Sequence, residues 1–315
     1  MTDIVKPRKG SLAYRPRKRA KRQMPGINYW GECEEARVMG LAGYKAGMTH
    51  ITYVEDVEGP AKGQEVSTAV TVIEVPPIVV YGVRGYNGLK CVGETLVENE
   101  EVFKKLGVKK KKGKKELKPE EVDEVSVLVY AQPGKTGIGK KHIERMELRV
   151  GGTDSAEKLN YAAGLLGKEL NPAEIFKSGE FVDVVAITTG KGWQGAVKRF
   201  GTNLQRPKAT GRRRHVGCLG QFHPGYIFYT VPRAGQTGYH KRTELNKRIM
   251  KIGDDVDEVN PKGGFPHYGF VRNRYMMLKG SVPGPVKRLV RLRLGVRGES
   301  AGEPRIIEIS LESKV

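Results

Sequence analysis

The stretch VSTAVTVIEVPPIVVYGVR at residues 66–84 decides the fold class of this chain. It is rich in β-branched residues, and Pro76 and Pro77 divide it into two runs. Such residues fit a pleated, half-buried surface, whereas a proline pair interrupts the hydrogen-bonding ladder of a sheet. The stretch therefore predicts two β-strands, Val66–Val75 and Ile78–Arg84, on either side of a break.

Similar runs recur along the chain and predict five further strands. They lie at Val125–Tyr130, Phe181–Thr189, Tyr275–Lys279, Arg288–Val296 and Ile306–Leu311. Two helices are also predicted, at Asp154–Gly167, where Asp154 can cap the first turn, and at Asn99–Leu106. The fold is therefore predicted to be mainly β.

Arginine alternates with leucine and valine over Arg288–Leu294, within the predicted strand Arg288–Val296. We interpret this pattern as a strand with its apolar side chains on the core and Arg288, Arg291 and Arg293 on the opposite face. There the arginines meet either phosphate or water, and the charge of the whole chain favours phosphate.

Positive charge is concentrated in two tracts of a chain whose formal net charge is +21. Residues 1–22 carry nine basic side chains and one acidic one, and residues 191–251 carry 14 basic side chains and one acidic one. The other 232 residues balance at 33 basic and 33 acidic side chains. A neutral body with two basic tracts indicates a polyanionic partner to which both tracts bind.

Neither basic tract has the pattern of an independent folding unit. Apolar side chains are isolated in the first tract, and the second has nine glycines, three prolines and no helical or strand period over most of its length. Long loops of this kind are usually functional or disordered, so we expect two arms that order on the partner. For the first tract, a flexible solubilising or localisation tail is the alternative. A third basic run, KKKKGKK at 109–115, is typical of a solvated surface loop.

The segment AQPGKTGIGKKH at 131–142 follows a predicted strand and looks like a phosphate-binding loop. Residues 134–140 fit GxxxxGK, but Lys141 stands where a P-loop needs the Ser or Thr hydroxyl that binds magnesium. No capped, apolar-periodic helix follows to direct its N-terminus at a phosphate. A nucleotide-dependent enzyme is therefore a weak alternative.

Metal sites, disulfides and membrane spans are not indicated by the sequence. The six histidines show no HExxH or short paired spacing, so neither a metal nor a cofactor is expected. Cys33, Cys91 and Cys218 lie far apart without a CxxC spacing, and we expect them to be buried apolar residues. No apolar stretch approaches the roughly 18 residues of a spanning helix, so we expect a cytoplasmic protein without a membrane partner. We also expect no small-molecule substrate.

Seven segments carry a family resemblance along nearly the whole chain. They are KPRKGSLAYRPRKRA (6–20), GYKAGMTH (43–50), VIEVPP (72–77), VLVYAQPGKTGIGKKH (127–142), GKGWQGAVKRFG (190–201), RRRHVGCLGQFHPG (212–225) and VPRAGQTGYHKRTELNK (231–247). In order and type they resemble the archaeal and eukaryotic branch of the L-three family of large-subunit ribosomal proteins. One departure is Phe222, where relatives of this branch usually carry Trp.

The resemblance implies a fold that is mainly β with an α+β insertion: a translation-factor-type β-barrel with long basic extensions. Residues 1–33 are then a basic RNA-binding N-terminal extension. The barrel comes from 34–87 and 181–315, the inserted lobe is 88–180, and the extended basic loop is 191–251. The same resemblance implies that the Gly/Lys loop at 131–142 contacts ribosomal RNA or lies near it.

The function implied by the resemblance is that of a structural constituent of the large ribosomal subunit rather than an enzyme. Its partners are then large-subunit rRNA and neighbouring ribosomal proteins. The N-terminal extension and the basic loop reach into the RNA, support subunit assembly, and bring the loop tip toward the peptidyl transferase centre. A free-standing RNA chaperone that binds many RNAs transiently is the alternative from another class.

Arginine and lysine can neutralise phosphates, and exposed rings can stack on unpaired bases. For Trp193 and Phe222, packing within the protein is the alternative. The residues that the resemblance implies as RNA-binding are Lys6, Arg8, Lys9, Arg15, Arg17, Lys18, Arg19, Lys45, His50, Lys191, Trp193, Lys198, Arg199, Arg212, Arg213, Arg214, His215, Phe222, His223, His240, Lys241, Arg242, Asn246 and Lys247.

Overall fold

The computed structural model describes residues 7–107, 117–298 and 302–312, and the chain divides into two units. Residues 1–22 and 187–241 form the first, called the basic unit below. Residues 23–186 and 242–315 form the second, called the body. Lys6 and the lysine run at 109–115 lie outside the described residues.

The described residues contain fourteen strands and four α-helices. The strands are β1 (Gly40–Val54), β2 (Glu65–Glu74), β3 (Ile78–Asn87), β4 (Lys90–Leu96), β5 (Glu124–Ala131), β6 (Glu144–Arg149), β7 (Glu169–Leu170), β8 (Phe181–Ile187), β9 (Trp193–Gln194), β10 (Gly235–Gln236), β11 (Lys241–Gly253), β12 (Tyr275–Lys279), β13 (Leu289–Leu294) and β14 (Arg305–Ile309). The helices are α1 (Glu100–Leu106), α2 (Ser155–Gly164), α3 (Pro172–Ile175) and α4 (Ala196–Phe200). Every predicted strand and both predicted helices are confirmed, within three residues at either end.

The larger sheet has seven strands in the order β13, β8, β11, β12, β2, β1 and β14, and β13 also pairs with β1. The pairings therefore run in a closed circuit through β1, β2, β12, β11, β8 and β13. The length of β1 makes this possible, because Gly40–Tyr44 pair with β13 whereas Ile51–Val54 pair with β14.

Glycines let the neighbours of β1 approach it closely. A Cβ at Gly43 would lie 2.5 Å from Ile73 Cγ2 and 2.8 Å from the carbonyl oxygen of Glu74. A Cβ at Gly47 would lie 2.4 Å from Cδ1 of Phe265. Glycine within a strand often marks such a close approach of two backbones. It also lowers the β propensity of the segment, so β1 is not recognisable as a strand from its sequence.

The smaller sheet has the order β4, β3, β5 and β6, with β7 paired to β3. Pro76 and Pro77 mark the passage between the sheets, because β2 ends at Glu74 and β3 begins at Ile78. Helix α2 lies beside β5 and begins as predicted, since Oδ1 of Asp154 accepts the N–H of Ala156 at 3.2 Å.

One hydrophobic cluster fills the space between elements of both sheets. Tyr44 and Tyr275 enter it from the larger sheet, Ile78 and Val127 from the smaller one, and Phe176 from the residue after α3. Each of these side chains is at most 1% exposed. The prediction of a mainly β fold is thus confirmed, and the core belongs to the body.

The expectation that Arg291 and Arg293 face phosphate or water is wrong. Arg291 is 5% exposed and Arg293 is 9% exposed. Nη1 of Arg291 donates to the carbonyl of Pro25 at 3.1 Å, and Nη2 donates to the carbonyl of Glu147. Burial lowers the pKa of Arg291 to about 10, against a smaller opposing effect of Glu147. The face of β13 opposite the core is itself covered by protein, which a period of two does not reveal.

The expectation of buried cysteines is also wrong. Cys33 is half-buried, and Cys91 and Cys218 are exposed. Cys91 lies on β4, an end strand of the smaller sheet, and Cys218 lies in the basic unit. Neither side chain therefore lies next to the hydrophobic core.

Candidate nucleic-acid interface

The basic unit carries a positive charge that it does not compensate itself. Its described residues, 7–22 and 187–241, include 18 Lys and Arg and no Asp or Glu. Among these described residues the cations therefore have no carboxylate to pair with. Such a concentrated field attracts a polyanion.

A short ladder brings the two ends of the basic loop together. β9 pairs with β10, the N–H of Lys191 donates to the carbonyl of Thr237 at 2.9 Å, and the N–H of Thr188 donates to that of His240 at 2.9 Å. At Gly238, whose φ is +71°, a Cβ would lie 2.0 Å from the carbonyl oxygen of Thr189, so this close approach requires glycine. Residues 201–234, beyond this ladder, contain no helix or strand.

Arginines of the N-terminal tract lie over aromatic rings of the basic loop. The guanidinium carbon of Arg15 is 3.9 Å from the ring centroid of Tyr229, and that of Arg17 is 4.2 Å from the centroid of Phe200. That of Arg19 lies 5.4 Å from the centroid of Tyr239. These distances are those of cation–π contacts.

Hydrogen bonds to main-chain carbonyls fix the same tract. Nη2 of Arg8 donates to Thr230 at 2.6 Å, Nη1 of Arg15 donates to Tyr229 at 3.0 Å, and the N–H of Ala20 donates to Tyr239 at 2.9 Å. The N-terminal tract and the loop were expected as two separate arms. They instead form one unit. In it the arginines contact backbone carbonyls and aromatic rings instead of carboxylates.

Arg199 organises the base of the loop from inside. Its Nε donates to the carbonyl of Gln236 and its Nη1 to that of Arg233, both at 3.1 Å. Burial lowers the pKa of Arg199 from its ordinary value, and repulsion by Arg15 adds to this effect. The side chain is half-buried and bound to the protein's own backbone, so it holds the loop in position.

Most of the remaining predicted residues of the basic unit are presented to solvent, whereas His240 is half-buried, with its Nδ1 2.9 Å from the carbonyl oxygen of Lys18. Phe222 is 87% exposed and meets the ring of His223 edge-on at 5.0 Å, and Trp193 is 76% exposed. Packing within the protein, the alternative for both rings, is thus wrong in this structure. In the basic unit, the exposed polar members of the prediction are Arg8, Arg15 and Arg19, described above, and Lys9, Lys18, Lys191, Lys198, Arg212, Arg213, Arg214, His215, His223 and Lys241.

Five predicted residues, Lys45, His50, Arg242, Asn246 and Lys247, belong to the body rather than to the basic unit. Nζ of Lys45 donates to the carbonyls of Val282 and Gly284 at 2.7 and 3.1 Å, and its burial lowers its pKa. Lys247 pairs with Glu244 at 2.9 Å, and the N–H of Asn246 donates to Asp183 at 3.0 Å. His50 is exposed and Arg242 is half-buried.

Tyr226, Phe228 and Tyr229 were not predicted as site residues. They are 64%, 50% and 63% exposed and lie in the basic unit. The signal was present in the sequence as the aromatic run YIFY at 226–229, inside a glycine-rich basic tract.

Other kinds of site are not formed by the described residues. They bring together no group of three or more His, Cys, Asp or Glu suited to a metal ion. In the same part of the chain, no helix is both long and apolar enough to cross a membrane. The Gly/Lys loop joins β5 to β6 and begins with a 3-10 turn, Pro133–Lys135, so it does not present a helix N-terminus.

Comparison with known proteins gives one consistent family. Residues 1–311 match the family model described as Ribosomal protein L3. The large ribosomal subunit protein uL3 of Methanosphaera stadtmanae is 45% identical, over 100% of this chain and 99% of its own. Those of Methanobrevibacter smithii and Methanothrix thermoacetophila are each 46% identical, over 98% and 100% of this chain and 97% and 99% of theirs.

Proposed function

Because the chain belongs to the ribosomal protein L3 family, we propose that its basic unit binds large-subunit rRNA and thereby supports assembly of the subunit. The protein is a structural protein of the large ribosomal subunit and not an enzyme. One observation carries the proposal: the described basic unit holds 18 Lys and Arg without any Asp or Glu. RNA phosphates supply the missing anions.

The contacts within the basic unit support two different roles for its cations. Arg8, Arg15, Arg17 and Arg199 hold backbone carbonyls or cover rings, so they shape the surface. Arg212–Arg214 and the exposed lysines remain in solvent, where their ammonium and guanidinium groups can reach phosphate oxygens. Phosphate contacts of this kind set position and much of the affinity.

The loop tip is the part of the unit that we assign to the region of the peptidyl transferase centre. Phe222 is the most exposed aromatic side chain of the described residues. It follows Arg212–Arg214 along the loop by eight residues or more. In this proposal the arginines bind phosphate, and the ring packs on a base or an apolar RNA surface beyond them.

The body is proposed to be the translation-factor-type β-barrel that the family resemblance implies. The closed circuit of pairings through six strands supports this. The resemblance implies a barrel from 34–87 and 181–315, a lobe at 88–180, and basic segments at 1–33 and 191–251; we propose this division with the lobe extended to include β3. The pairing of β3 with β4 and β5 indicates that the lobe's sheet begins at Ile78. Neighbouring ribosomal proteins are the proposed partners of the body.

Co-sedimentation with large subunits through a high-salt wash tests the proposed function. A subunit constituent stays with the particle at a fixed stoichiometry, whereas a free-standing RNA chaperone is washed off because it has no fixed partner. Release of the chain at a salt concentration that leaves other subunit proteins bound would contradict the proposal.

A further inference from the structure

The run Tyr226–Tyr229 is an exposed aromatic surface held by two turns. The N–H of Tyr226 donates to the carbonyl of Pro224 at 2.8 Å, and the N–H of Val231 donates to that of Phe228 at 3.1 Å. All three rings are at least half exposed. Exposed aromatic side chains grouped in this way mark an interaction site more often than scattered ones do.

The rings are fixed in place by one another and by the N-terminal tract. Tyr226 and Phe228 meet edge to face, with centroids 5.3 Å apart and planes at 68°. The guanidinium of Arg15 covers one face of Tyr229 and also donates to its carbonyl. Arg8 donates to the next carbonyl, that of Thr230. One face of Tyr229 is thus occupied, and its 63% exposure leaves the other open.

We propose that Tyr226, Phe228 and Tyr229 form a stacking platform for unpaired nucleobases, separate from the tip at Phe222. This inference rests on the proposed RNA-binding function. The charge around the rings identifies the occupant, because the described residues of the basic unit include 18 Lys and Arg and no Asp or Glu, which favours a polyanion over an apolar protein segment. Bases in a duplex are already stacked, so only unpaired bases offer a free π-face.

Arg15 is the positioning residue of this platform. Its two contacts, with the ring and with the carbonyl of Tyr229, hold the ring by one face while the other remains open. A cation on the covered face does not compete with a base on the open one.

Binding of a single-stranded oligoribonucleotide containing 2-aminopurine to the full-length chain tests the platform, with the same strand annealed into a duplex as comparison. Tyr226→Leu, Phe228→Leu and Tyr229→Leu each remove a ring while keeping an apolar side chain. Each is expected to weaken single-strand binding by about tenfold and to reduce the stacking-induced quenching of 2-aminopurine. Phe228→Tyr and Tyr229→Phe retain the ring and keep the affinity. Phe270→Leu, at a 51% exposed ring of the body, is the matched control.

The salt dependence separates the platform from the proposed function. The leucine variants should lose affinity with an unchanged slope of log K against log salt, because they remove no phosphate contact. Wild-type affinity in the leucine variants overturns the platform alone, as does an equal loss on single strand and duplex. Absence of salt-dependent binding by the unaltered chain overturns the proposed function itself.

Discussion

Asp183 on β8 accepts two hydrogen bonds from Arg293, the residue opposite it on β13, at 2.9 Å from Nη2 and 3.1 Å from Nε. The carboxylate is fully buried. Its other oxygen accepts the N–H of Asn246, a residue of β11 whose φ is +54°. The carboxylate therefore ties together three neighbouring strands of the larger sheet.

Asp183→Ala is expected to destabilise the chain by about 3–5 kcal/mol, because it leaves Arg293 buried without a counter-charge. Urea unfolding at constant pH and salt measures this change. Glu58→Ala is the control, since it removes the exposed pair with Lys62 at 3.5 Å and should leave the midpoint unaltered. Equal, small shifts in the two variants would show that Asp183 does not hold the sheet.

Asp56 gives the body a predictable acid sensitivity. Nη1 of the buried Arg248 donates to Oδ1 of Asp56 at 2.6 Å, and this hydrogen bond holds the pKa of the carboxyl below its ordinary 3.8. A depressed folded-state pKa contributes stability above about pH 4, and this is lost as the pH falls through the folded value. Between pH 6 and pH 3, Asp56→Asn should therefore show a smaller fall in melting temperature than the unaltered chain. An equal fall in melting temperature in the variant and the unaltered chain would exclude this role of Asp56.

The sequence predicted those elements whose residues have high β propensity or a recognisable cap. Strands such as β12 and the start of α2 follow directly from the residues at Tyr275–Lys279 and Asp154. β1 was missed because its glycines lower its β propensity. Those glycines allow close packing against residues that are distant in the chain, which the local sequence does not show. β11 was missed because it continues the basic tract, where charged side chains hide the alternation of a strand.

Gly10→Ala is expected to loosen the N-terminal tract from the basic loop. Gly10 has φ +78°, and a Cβ there would lie 2.5 Å from Cδ1 of Phe200. Both the backbone strain, on the order of 1–2 kcal/mol, and the clash oppose the observed packing. Limited trypsin digestion should cut faster after Arg17 and Lys18. Gly225→Ala in the same unit meets open space and should digest like the unaltered chain. Equal rates in both variants would contradict the packing.

Phe222→Ala is expected to leave the amount of large subunit normal. It should alter peptidyl transfer or the sensitivity to drugs that act at the peptidyl transferase centre. The reason is that the ring makes no contribution to the core of the loop, being 87% exposed. Replacing Arg212, Arg213 and Arg214 together should instead reduce incorporation, because it removes phosphate contacts. Subunit profiles of the two strains measure the difference, and the same assembly defect in both would reject the separate roles.

The candidate site was predictable in its location but not in its internal contacts. Charge alone located 1–22 and most of 187–241, since composition is read directly from the chain. Composition did not show that Arg15 and Arg17 lie over rings about 200 residues away, or that Lys45 is bound by carbonyls of the body. Such contacts depend on the fold that brings distant segments together.

The salt dependence of affinity for large-subunit rRNA tests the central claim most directly. Each phosphate neutralised on duplex contributes about −0.9 to the slope of log K against log salt, and about −0.7 on single strands. With about five or more phosphates engaged by the basic unit, we expect a slope of about −4 or steeper. Replacing Arg212, Arg213 and Arg214 with Gln should make it shallower by about two to three units. A slope shallower than about −3 for the unaltered chain, or no change in the triple variant, would contradict RNA binding through the basic unit.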